Sequence, residues 1–326
     1  MNVTVLGAGA WGTALATLLH RNDHRVTIWG HNAAHLDEMR ATGRNERYLS
    51  GAELPRDWRL EADIMRATAH AEIIIASIPS KAFREVTRSL TDFSGIVVSV
   101  TKGIEHHTGL TMCGVLAENA PRAKLAALSG PSLAAEVVRG IPTAIVAASQ
   151  QADVACAVQK LFHSPTFRVY SSNDLDGVEL GGALKNIIAI AAGVCDGLGF
   201  GDNSKASLVT RGIVEMRRLG VACGAQSETF SGLSGIGDLM VTCFSKLSRN
   251  RGFGERVGRG EKPDQILASM TSVVEGAPTA RSAVELSRKL KISTPIIDEV
   301  HAMLYEGKNV RQAVQDLTTR GSKAED

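Results

Sequence analysis

The segment most informative about the fold is Val3-Thr4-Val5-Leu6-Gly7-Ala8-Gly9-Ala10-Trp11-Gly12. Its first four residues predict a strand, and the Ala- and Leu-rich segment 13–20 predicts a helix. The glycines between them match the pattern G-x-G-x-x-G. In that pattern Gly7 permits a tight turn, Gly9 lets the backbone approach a pyrophosphate, and Gly12 lets helix and strand pack closely. The stretch therefore predicts a dinucleotide site at a helix N-terminus. The alternative is a glycine-rich turn in an unrelated α/β protein.

Outward from this stretch, the first half of the chain alternates short apolar runs with helical segments. The predicted strands are Val3–Leu6, Val26–Trp29, Glu72–Ser77, Ile96–Val100, Lys124–Leu128, Thr143–Ala148 and Phe167–Ser171. Near-continuous apolar strands separated by helices indicate a parallel sheet that is covered on both faces.

After about Asp174 the strand-like runs disappear. The predicted helices there are Val178–Val194, Ser204–Leu219, Val273–Leu290 and Ile296–Tyr305. We therefore expect an α/β fold, with a Rossmann-type doubly wound parallel sheet over residues 1–174 and an all-α domain over residues 175–326. A ligand cleft is expected between the two domains. The polar tail 321–326 is expected to be frayed.

Composition and charge exclude several classes of protein. The 326 residues carry a net charge of +2, which argues against a nucleic-acid-binding surface. The five cysteines are widely spaced without a C-x-x-C pair, as is typical of buried thiols in a reducing compartment. Apolar runs such as 187–192 are shorter than the roughly 20 residues that span a bilayer. With no basic leader visible, we expect a cytoplasmic protein that does not insert into membranes.

The end of the second predicted strand bears on the choice of cofactor. It reads Trp29-Gly30-His31-Asn32, without the carboxylate that usually binds the ribose of NAD. Asp23 lies too early to replace it. His31, together with Arg40, Arg44 or Arg47, could hold a 2′-phosphate, which favours NADP(H) without excluding NAD(H). The alternative for these arginines is a solvated helix face.

A lysine in the second half follows two glycines inside a predicted helix, in Leu180-Gly181-Gly182-Ala183-Leu184-Lys185-Asn186. Each helical glycine costs roughly 0.5–1 kcal/mol relative to alanine. Because Gly181 and Lys185 are four residues apart, they share a face. The missing side chains would let a ligand or another backbone approach the amine. The alternative is a surface lysine beside glycines that serve helix packing.

Other polar groups are candidates for the same cleft. Lys102 and Ser129-Gly130-Pro131-Ser132 follow neighbouring predicted strands at their carboxyl ends, where ligands bind in such sheets. Asp238 lies in a glycine-flanked turn, and Ser248-Arg249-Asn250 offers donors that suit a phosphate, although this triplet could simply start a helix. The pair His106-His107 lacks a carboxylate or a third ligand at the spacing of a metal site. We therefore expect solvated histidines and no metal.

Taken in order, these motifs make the chain resemble the bacterial NAD(P)-dependent glycerol-3-phosphate dehydrogenases over nearly its full length. The matching pieces are 7–12, Ala76-Ser77-Ile78-Pro79-Ser80, Thr101-Lys102-Gly103, 129–132, 180–186, Gly235-Ile236-Gly237-Asp238-Leu239, Ser248-Arg249-Asn250-Arg251 and Val273-Val274-Glu275-Gly276. The resemblance implies interconversion of sn-glycerol 3-phosphate and dihydroxyacetone phosphate with NAD(H) or NADP(H), and a role in supplying glycerol 3-phosphate for phospholipid synthesis.

The resemblance also implies roles for individual residues. Lys185 would be the proton acceptor, Lys102 would stabilise charge on the substrate oxygen, and Asp238 would orient an amine or a substrate hydroxyl. The implied substrate contacts are Lys102, Gly130, Ser132, Lys185, Asp238, Ser248, Arg249 and Asn250. The implied cofactor contacts, beyond Gly7, Gly9 and Gly12, are Ala10, Trp11, His31, Lys102, Ala134, Arg249, Val273 and Glu275. Ala10 and Ser132 depart from the family's common Ser and Thr, and neither change removes a lysine.

A proton acceptor must be neutral when the substrate binds. We therefore expect burial and the charge of Lys102 to lower the pKa of Lys185 from about 10.4 towards about 7–8. Two other functions stay open on the residues alone: a dehydrogenase of another small 3-hydroxy acid, and a non-catalytic NAD(P)H-sensing protein. The expected partner is a small phosphate-bearing substrate. A homodimer is left open by the sequence.

Overall fold

The computed structural model describes residues 1–321, so the expected frayed tail lies outside the described residues from Ser322 onward. The strands are β1 (Asn2–Leu6), β2 (Arg25–Trp29), β3 (Arg44–Asn45), β4 (Leu49–Glu53), β5 (Arg59–Glu61), β6 (Ile73–Ala76), β7 (Ile96–Ser99), β8 (Lys124–Ser129), β9 (Thr143–Ala148) and β10 (Phe167–Ser172).

The helices of the first half are α1 (Ala10–Arg21), α2 (Ala33–Thr42), α3 (Ile64–Thr68), α4 (Ser80–Thr87), α5 (Met112–Asn119), α6 (Ala134–Val138) and α7 (Ala152–Phe162). Those of the second half are α8 (Leu175–Gly197), α9 (Asp202–Ala222), α10 (Asp238–Phe244), α11 (Arg249–Gly258), α12 (Pro263–Ser269), α13 (Gly276–Leu290), α14 (Pro295–Tyr305) and α15 (Val310–Thr318). After residue 174 the described chain contains helices and turns but no strand.

The large sheet has eight strands in the order β10-β9-β8-β7-β6-β1-β2-β5. Neighbouring strands run parallel except β8 and β9, which are antiparallel, so the expectation of a wholly parallel sheet is wrong at this pair. The connection between β8 and β9 contains only the short helix α6. At about 1.5 Å per residue that helix is less than half as long as β8, so it does not carry the chain back to the start of a parallel strand.

Both faces of the sheet are covered, as predicted for a doubly wound fold. Val3 and Val5 of β1 belong to a buried apolar cluster on one face. Leu6 belongs to a second cluster on the other face, where Phe83 of α4 also packs. Because successive strand residues point to opposite faces, an apolar strand that is buried on both sides requires helices on both sides.

Three short strands have no counterpart among the predicted ones. Strand β5 is the edge of the sheet, and Leu60 is its only apolar residue. Strands β3 and β4 form a separate antiparallel pair, and Gly51 in β4 has a φ of +79°. Such short, polar or glycine-containing segments lack the apolar run on which strand prediction relies.

Helix α8 is the centre of the helical half. It is apolar all round, with a mean hydropathy of 1.5 over an 18-residue window, and this window is completely buried by the surrounding protein. By length and composition alone α8 could cross a membrane, but its packing against α9, α10, α11 and α13 identifies it as a core helix.

Helices α8 and α11 approach each other closely through glycines. A Cβ on Gly193 would lie 2.0 Å from the carbonyl oxygen of Arg251, and one on Gly254 would lie 2.0 Å from that of Ile190. Only glycine permits this backbone contact. It places the N-terminus of α11, which begins at Arg249, alongside the segment of α8 that carries Lys185.

Candidate active site

Three predicted catalytic side chains lie together although they come from three distant parts of the chain. Lys102 follows β7, Lys185 lies in α8, and Asp238 is the first residue of α10. The Lys102 Nζ atom donates to Asp238 Oδ2 at 2.6 Å, and the Lys185 Nζ atom lies 3.1 Å from Asp238 Oδ1. One carboxylate therefore holds two amines, one from each half of the molecule.

The Lys185 amine is almost completely enclosed, with 6% of the residue exposed. Burial lowers its pKa to about 8, and the positive charge of Lys102 acts in the same direction, whereas Asp238 opposes the shift. The value lies at the upper end of the range expected for a proton acceptor near neutral pH. The alternative of a surface lysine is wrong.

Thr242, which the sequence analysis missed, is the second contact of Lys185. Its Oγ1 accepts from Lys185 Nζ at 2.6 Å and donates to the carbonyl oxygen of Asp238 at 2.7 Å. A threonine commonly donates to the carbonyl four residues earlier in a helix. The four-residue spacing of Asp238 and Thr242 is a signal only within a helix, and the sequence analysis predicted a turn at Asp238 and no helix there.

The two glycines before Lys185 are required for different reasons. A Cβ on Gly181 would lie 2.6 Å from the backbone oxygen of Ser234, so this glycine serves close packing. A Cβ on Gly182 would lie 2.5 Å from Ser129 Oγ and 3.4 Å from Cγ of Lys102. Gly182 therefore makes room for the Lys102 side chain beside α8, and the second half of the site packs against the first.

Gly130 and Ser132, predicted substrate contacts, lie next to Lys102. The Gly130 carbonyl oxygen accepts from Lys102 Nζ at 3.0 Å and from Ser132 Oγ at 2.9 Å. The φ of Gly130 is +147°, which side chains rarely tolerate. The turn after β8 thus fixes the position of the Lys102 amine.

The triplet 248–250 starts helix α11, so the alternative interpretation of this triplet as a helix start is correct. Ser248 is the N-cap, and its Oγ accepts from the backbone N–H of Arg251 at 3.2 Å. The N–H groups of Arg249 and Asn250 have no intrahelical partner, as is usual in a first turn. The Arg249 side chain is exposed. This helix start combines free amides, the positive end of a helix dipole and a guanidinium, a combination that suits a phosphate.

Asn250 also joins three helices. Its Nδ2 donates to Asn186 Oδ1 at 2.9 Å, and its Oδ1 accepts from the backbone N–H of Gly276 at 2.9 Å. Half of the side chain's hydrogen-bonding capacity is used within the protein, which leaves one amide N–H and one lone pair on Oδ1 for a ligand.

The loop after β1 has the shape of a dinucleotide cradle. Gly7 has a φ of +121°, and a Cβ on Gly12 would lie 2.1 Å from the Gly7 carbonyl oxygen. A Cβ on Gly9 would meet nothing within 4 Å, so this side of the loop is open. Helix α1 begins here without a side-chain cap, and the indole N–H of Trp11 is buried without a partner. Free donors around an open glycine fit a pyrophosphate.

The groups expected near the adenosine end differ in availability. His31 is exposed. Arg40 pairs with Asp37 at 2.5 Å, and Arg44 lies between two glutamates at 3.5 and 3.8 Å. The Arg47 guanidinium lies 5.4 Å from the centre of the Tyr48 ring. Of the three arginines, Arg47 is the one that forms no ion pair with a carboxylate among the described residues.

The remaining predicted cofactor contacts lie at or just before the starts of two helices. Ala134 begins α6, and Val273 is 42% exposed in the turn before α13, which begins three residues later than predicted. Glu275 Oε1 accepts from the Ser80 N–H at 3.1 Å, and Oε2 accepts from the Ser80 hydroxyl. Burial raises the pKa of Glu275. These contacts tie the start of α13 to the start of α4.

The expectation that no carboxylate accompanies the pair His106-His107 is wrong. Glu285 of α13, remote in sequence, lies with its Oε2 atom 3.2 Å from His106 Nδ1. His106 is partly buried rather than fully solvated. Packing of α13 against the loop after Lys102 brings these residues together.

Comparison with known proteins identifies the family of the chain. Family models described as the N-terminus and the C-terminus of NAD-dependent glycerol-3-phosphate dehydrogenase match residues 2–155 and 174–315. The chain belongs to this family.

Curated relatives named glycerol-3-phosphate dehydrogenase (NAD(P)+) match over the whole chain. The one from Chlorobium limicola is 45% identical and covers 100% of this chain and 99% of its own length. The one from Fusobacterium nucleatum is 43% identical, with 100% and 98% covered. A crystal structure of glycerol-3-phosphate dehydrogenase from Coxiella burnetii is 38% identical, with a TM-score of 0.94 and coverage of 98% and 99%.

More distant structures in the comparison support the fold alone. The yeast glycerol-3-phosphate dehydrogenase is 22% identical with a TM-score of 0.81. Membership of the family makes the protein an NAD(P)-dependent oxidoreductase built from a Rossmann-type domain and a helical domain. Of the functions left open by the residues, neither the 3-hydroxy acid dehydrogenase nor the non-catalytic sensor is supported by these relatives.

Proposed function

We propose that the protein interconverts sn-glycerol 3-phosphate and dihydroxyacetone phosphate, with Lys185 as the group that accepts and returns the proton. The observation that carries this proposal is the buried Lys185 amine, held beside Lys102 by the single carboxylate of Asp238. An amine with a pKa of about 8 exchanges its proton readily near neutral pH.

The hydrogen bonds of Lys185 orient its lone pair. A neutral amine has two N–H groups; Thr242 Oγ1 accepts from one, and Asp238 Oδ1, 3.1 Å from Nζ, lies within reach of the other. The one lone pair is then left for the hydroxyl on C2 of glycerol 3-phosphate. In the reductive direction the protonated amine donates to the carbonyl oxygen of dihydroxyacetone phosphate.

Lys102 supplies positive charge for the same oxygen. Of its three N–H donors, one is used by Asp238 Oδ2 and one by the Gly130 carbonyl. The third is free to stabilise the negative charge that develops on the substrate oxygen. Asp238 thus spaces the two amines and offsets their repulsion.

The phosphate would rest on the N-terminus of α11. Arg249 offers two parallel N–H donors, and Ser248 and the free backbone amides of the first turn add neutral ones. Anchoring the phosphate there fixes the distance from C2 to Lys185, because α11 is packed tightly against α8 through glycines.

The loop 7–12 would hold the dinucleotide pyrophosphate, with Ala10, Trp11, His31, Ala134, Val273 and Glu275 as further contacts. When bound, the nicotinamide accepts or donates the hydride at C2. Gly9 keeps the cradle open, and the contacts with Ser80 fix the position of the Glu275 carboxylate.

Several wider features belong to the same proposal. The domains would be residues 1–174 and 175–326, because β10 ends at Ser172 and Asp174 caps α8. The protein would act in the cytoplasm, without membrane insertion, to supply glycerol 3-phosphate for phospholipid synthesis. A homodimer is compatible with this role.

The test is turnover of dihydroxyacetone phosphate with NADPH and with NADH, followed at the nicotinamide absorbance, for the wild type and for Lys185→Ala. We expect turnover in the wild type and its loss in Lys185→Ala, with NADPH binding retained. A small 3-hydroxy acid assayed in parallel addresses the alternative substrate. Undiminished kcat in Lys185→Ala would refute the proton role, and NADPH binding without turnover in the wild type would indicate a sensor.

A further inference from the structure

We propose that His106, His107 and Glu285 form a binding site for a divalent transition-metal ion of the Zn²⁺ class, outside the active site. The nitrogen and carboxylate ligand atoms of these three residues all lie within 4.8 Å of one another. They are the ligand types that zinc prefers. The site is separate from the proposed chemistry, which uses neither histidine.

The distance between two of the ligands already matches that of a metal site. His106 Nδ1 and Glu285 Oε2 are 3.2 Å apart, yet His106 Nδ1 has no hydrogen-bond partner. Two atoms that each lie about 2.1 Å from a tetrahedral zinc ion are about 3.4 Å apart. The pair therefore needs almost no movement to share an ion.

The backbone turns the second histidine towards the first. Neighbouring residues in an extended chain point in opposite directions, so adjacent histidines rarely share a ligand. Here His107 has a φ of +69°, and its ring centre lies 3.7 Å from that of His106. A positive φ outside glycine costs free energy, and such positions concentrate at ligand sites. Because His107 is exposed, its ring can rotate the short remaining distance to an ion.

A cation close to the three ligands would oppose metal binding. The Arg281 guanidinium lies over the Tyr305 ring at 4.3 Å, so this cation has a contact of its own outside the proposed ligand set.

A bound ion would join two parts of the protein that frame the active site. His106 and His107 lie in the loop that follows Lys102, and Glu285 lies in α13, which starts directly after Glu275. Ser282 Oγ of α13 already donates to the carbonyl oxygen of Ile104 in that loop at 3.0 Å. The metal would add a second link between the same two elements and stabilise their packing.

The chain contains a matched control for this site. His301 Nδ1 lies 3.2 Å from Glu306 Oε1, the same separation as in the proposed site. Within residues 1–321, no third ligand joins that pair in a cluster that could hold an ion. His301→Ala therefore removes an equivalent histidine–glutamate pair without touching the proposed ligands.

The experiment titrates the full, chelator-treated protein with Zn²⁺ by calorimetry, and with Co²⁺ while the visible absorption of the bound ion is recorded. We expect one ion per chain and a higher Tm with Zn²⁺. His107→Asn, which keeps a residue that tolerates positive φ, and Glu285→Gln should each weaken binding by at least about tenfold. His301→Ala should bind as the wild type does.

Two results would overturn the proposal: a wild type that binds no Zn²⁺ at micromolar concentration, or variants at 107 and 285 that bind as tightly as the wild type. Equal loss in His301→Ala would also overturn it, since the ion would then lie elsewhere. Thermal unfolding without metal verifies that each variant is folded.

Discussion

Asp238→Asn tests the central idea of the site, because this substitution keeps the shape of the side chain and removes the charge shared by two amines. In the wild type, Asp238 has 2% of its side chain exposed and contacts Lys102 and Lys185 through different oxygens. An amide has only one acceptor oxygen, and its NH₂ group would face the other amine.

The expected shift in pH dependence follows from the sign of the charge interaction. Asp238 raises the pKa of Lys185 against the larger effect of burial, which leaves it at about 8. Loss of an opposite charge at this range lowers a lysine pKa by about 1–3 units, to between about 5 and about 7. In glycerol 3-phosphate oxidation the active form is the neutral amine, so the rate rises as the pH rises through this pKa. The rising limb should therefore move from about pH 8 to a lower pH in the variant.

The rate itself should also fall. The Asn NH₂ group can donate to the lone pair of neutral Lys185, which then cannot accept a proton from the substrate. Loss of positioned proton transfer typically costs about 10²–10⁴-fold, and we expect kcat to fall by at least about 100-fold.

The assay is kcat for glycerol 3-phosphate oxidation between pH 5 and pH 10, with NAD⁺ or NADP⁺ at saturation. Asp176→Asn is the matched control, because Asp176 is a partly buried carboxylate of the same helix α8 whose pKa depends on burial and on Asp174 rather than on the lysines. Its profile should remain that of the wild type. A rising limb that stays near pH 8 in Asp238→Asn would refute the assignment of this limb to Lys185.

Five further substitutions, at four positions, test the rest of the site. Thr242→Val should lower kcat/KM by about 10–100-fold, because a hydrogen bond to a charged buried amine contributes about 1.5–3 kcal/mol. Thr242→Ser should restore most activity. Equal kinetics for the two variants would exclude an effect of the Thr242 hydroxyl on Lys185. Arg249→Ala should raise the KM for dihydroxyacetone phosphate by about 10–100-fold, and an unchanged KM in steady-state kinetics would move the phosphate elsewhere. Gly9→Ala should leave the Tm unchanged and raise the KM for NAD(P)H, since its Cβ meets open space. Gly12→Ala should lower the Tm in thermal unfolding, because its Cβ would lie 2.1 Å from a backbone oxygen. The same Tm for both variants would contradict the proposed cradle.

Features that depend on neighbours along the chain could be predicted from the sequence. The spacing of Gly7, Gly9 and Gly12 after an apolar strand specifies a turn whose geometry only glycine permits, and the structure has that turn. The apolar strands of the first half and the long helices of the second half were likewise readable, because periodic burial leaves a periodic pattern. The ordered motifs also pointed to the family that the comparisons establish.

Which of these strands, helices and side chains come into contact depends on tertiary packing. Lys102 and Asp238 are 136 residues apart, and no local pattern states that one carboxylate serves both lysines. The second contact of Lys185, the direction of β9 and the approach of Glu285 to His106 were missed for the same reason. Each depends on how elements pack across the molecule. Packing is decided by the combined fit of many side chains and backbones, such as the glycine contacts between α8 and α11, and not by the residues on either side of a given position.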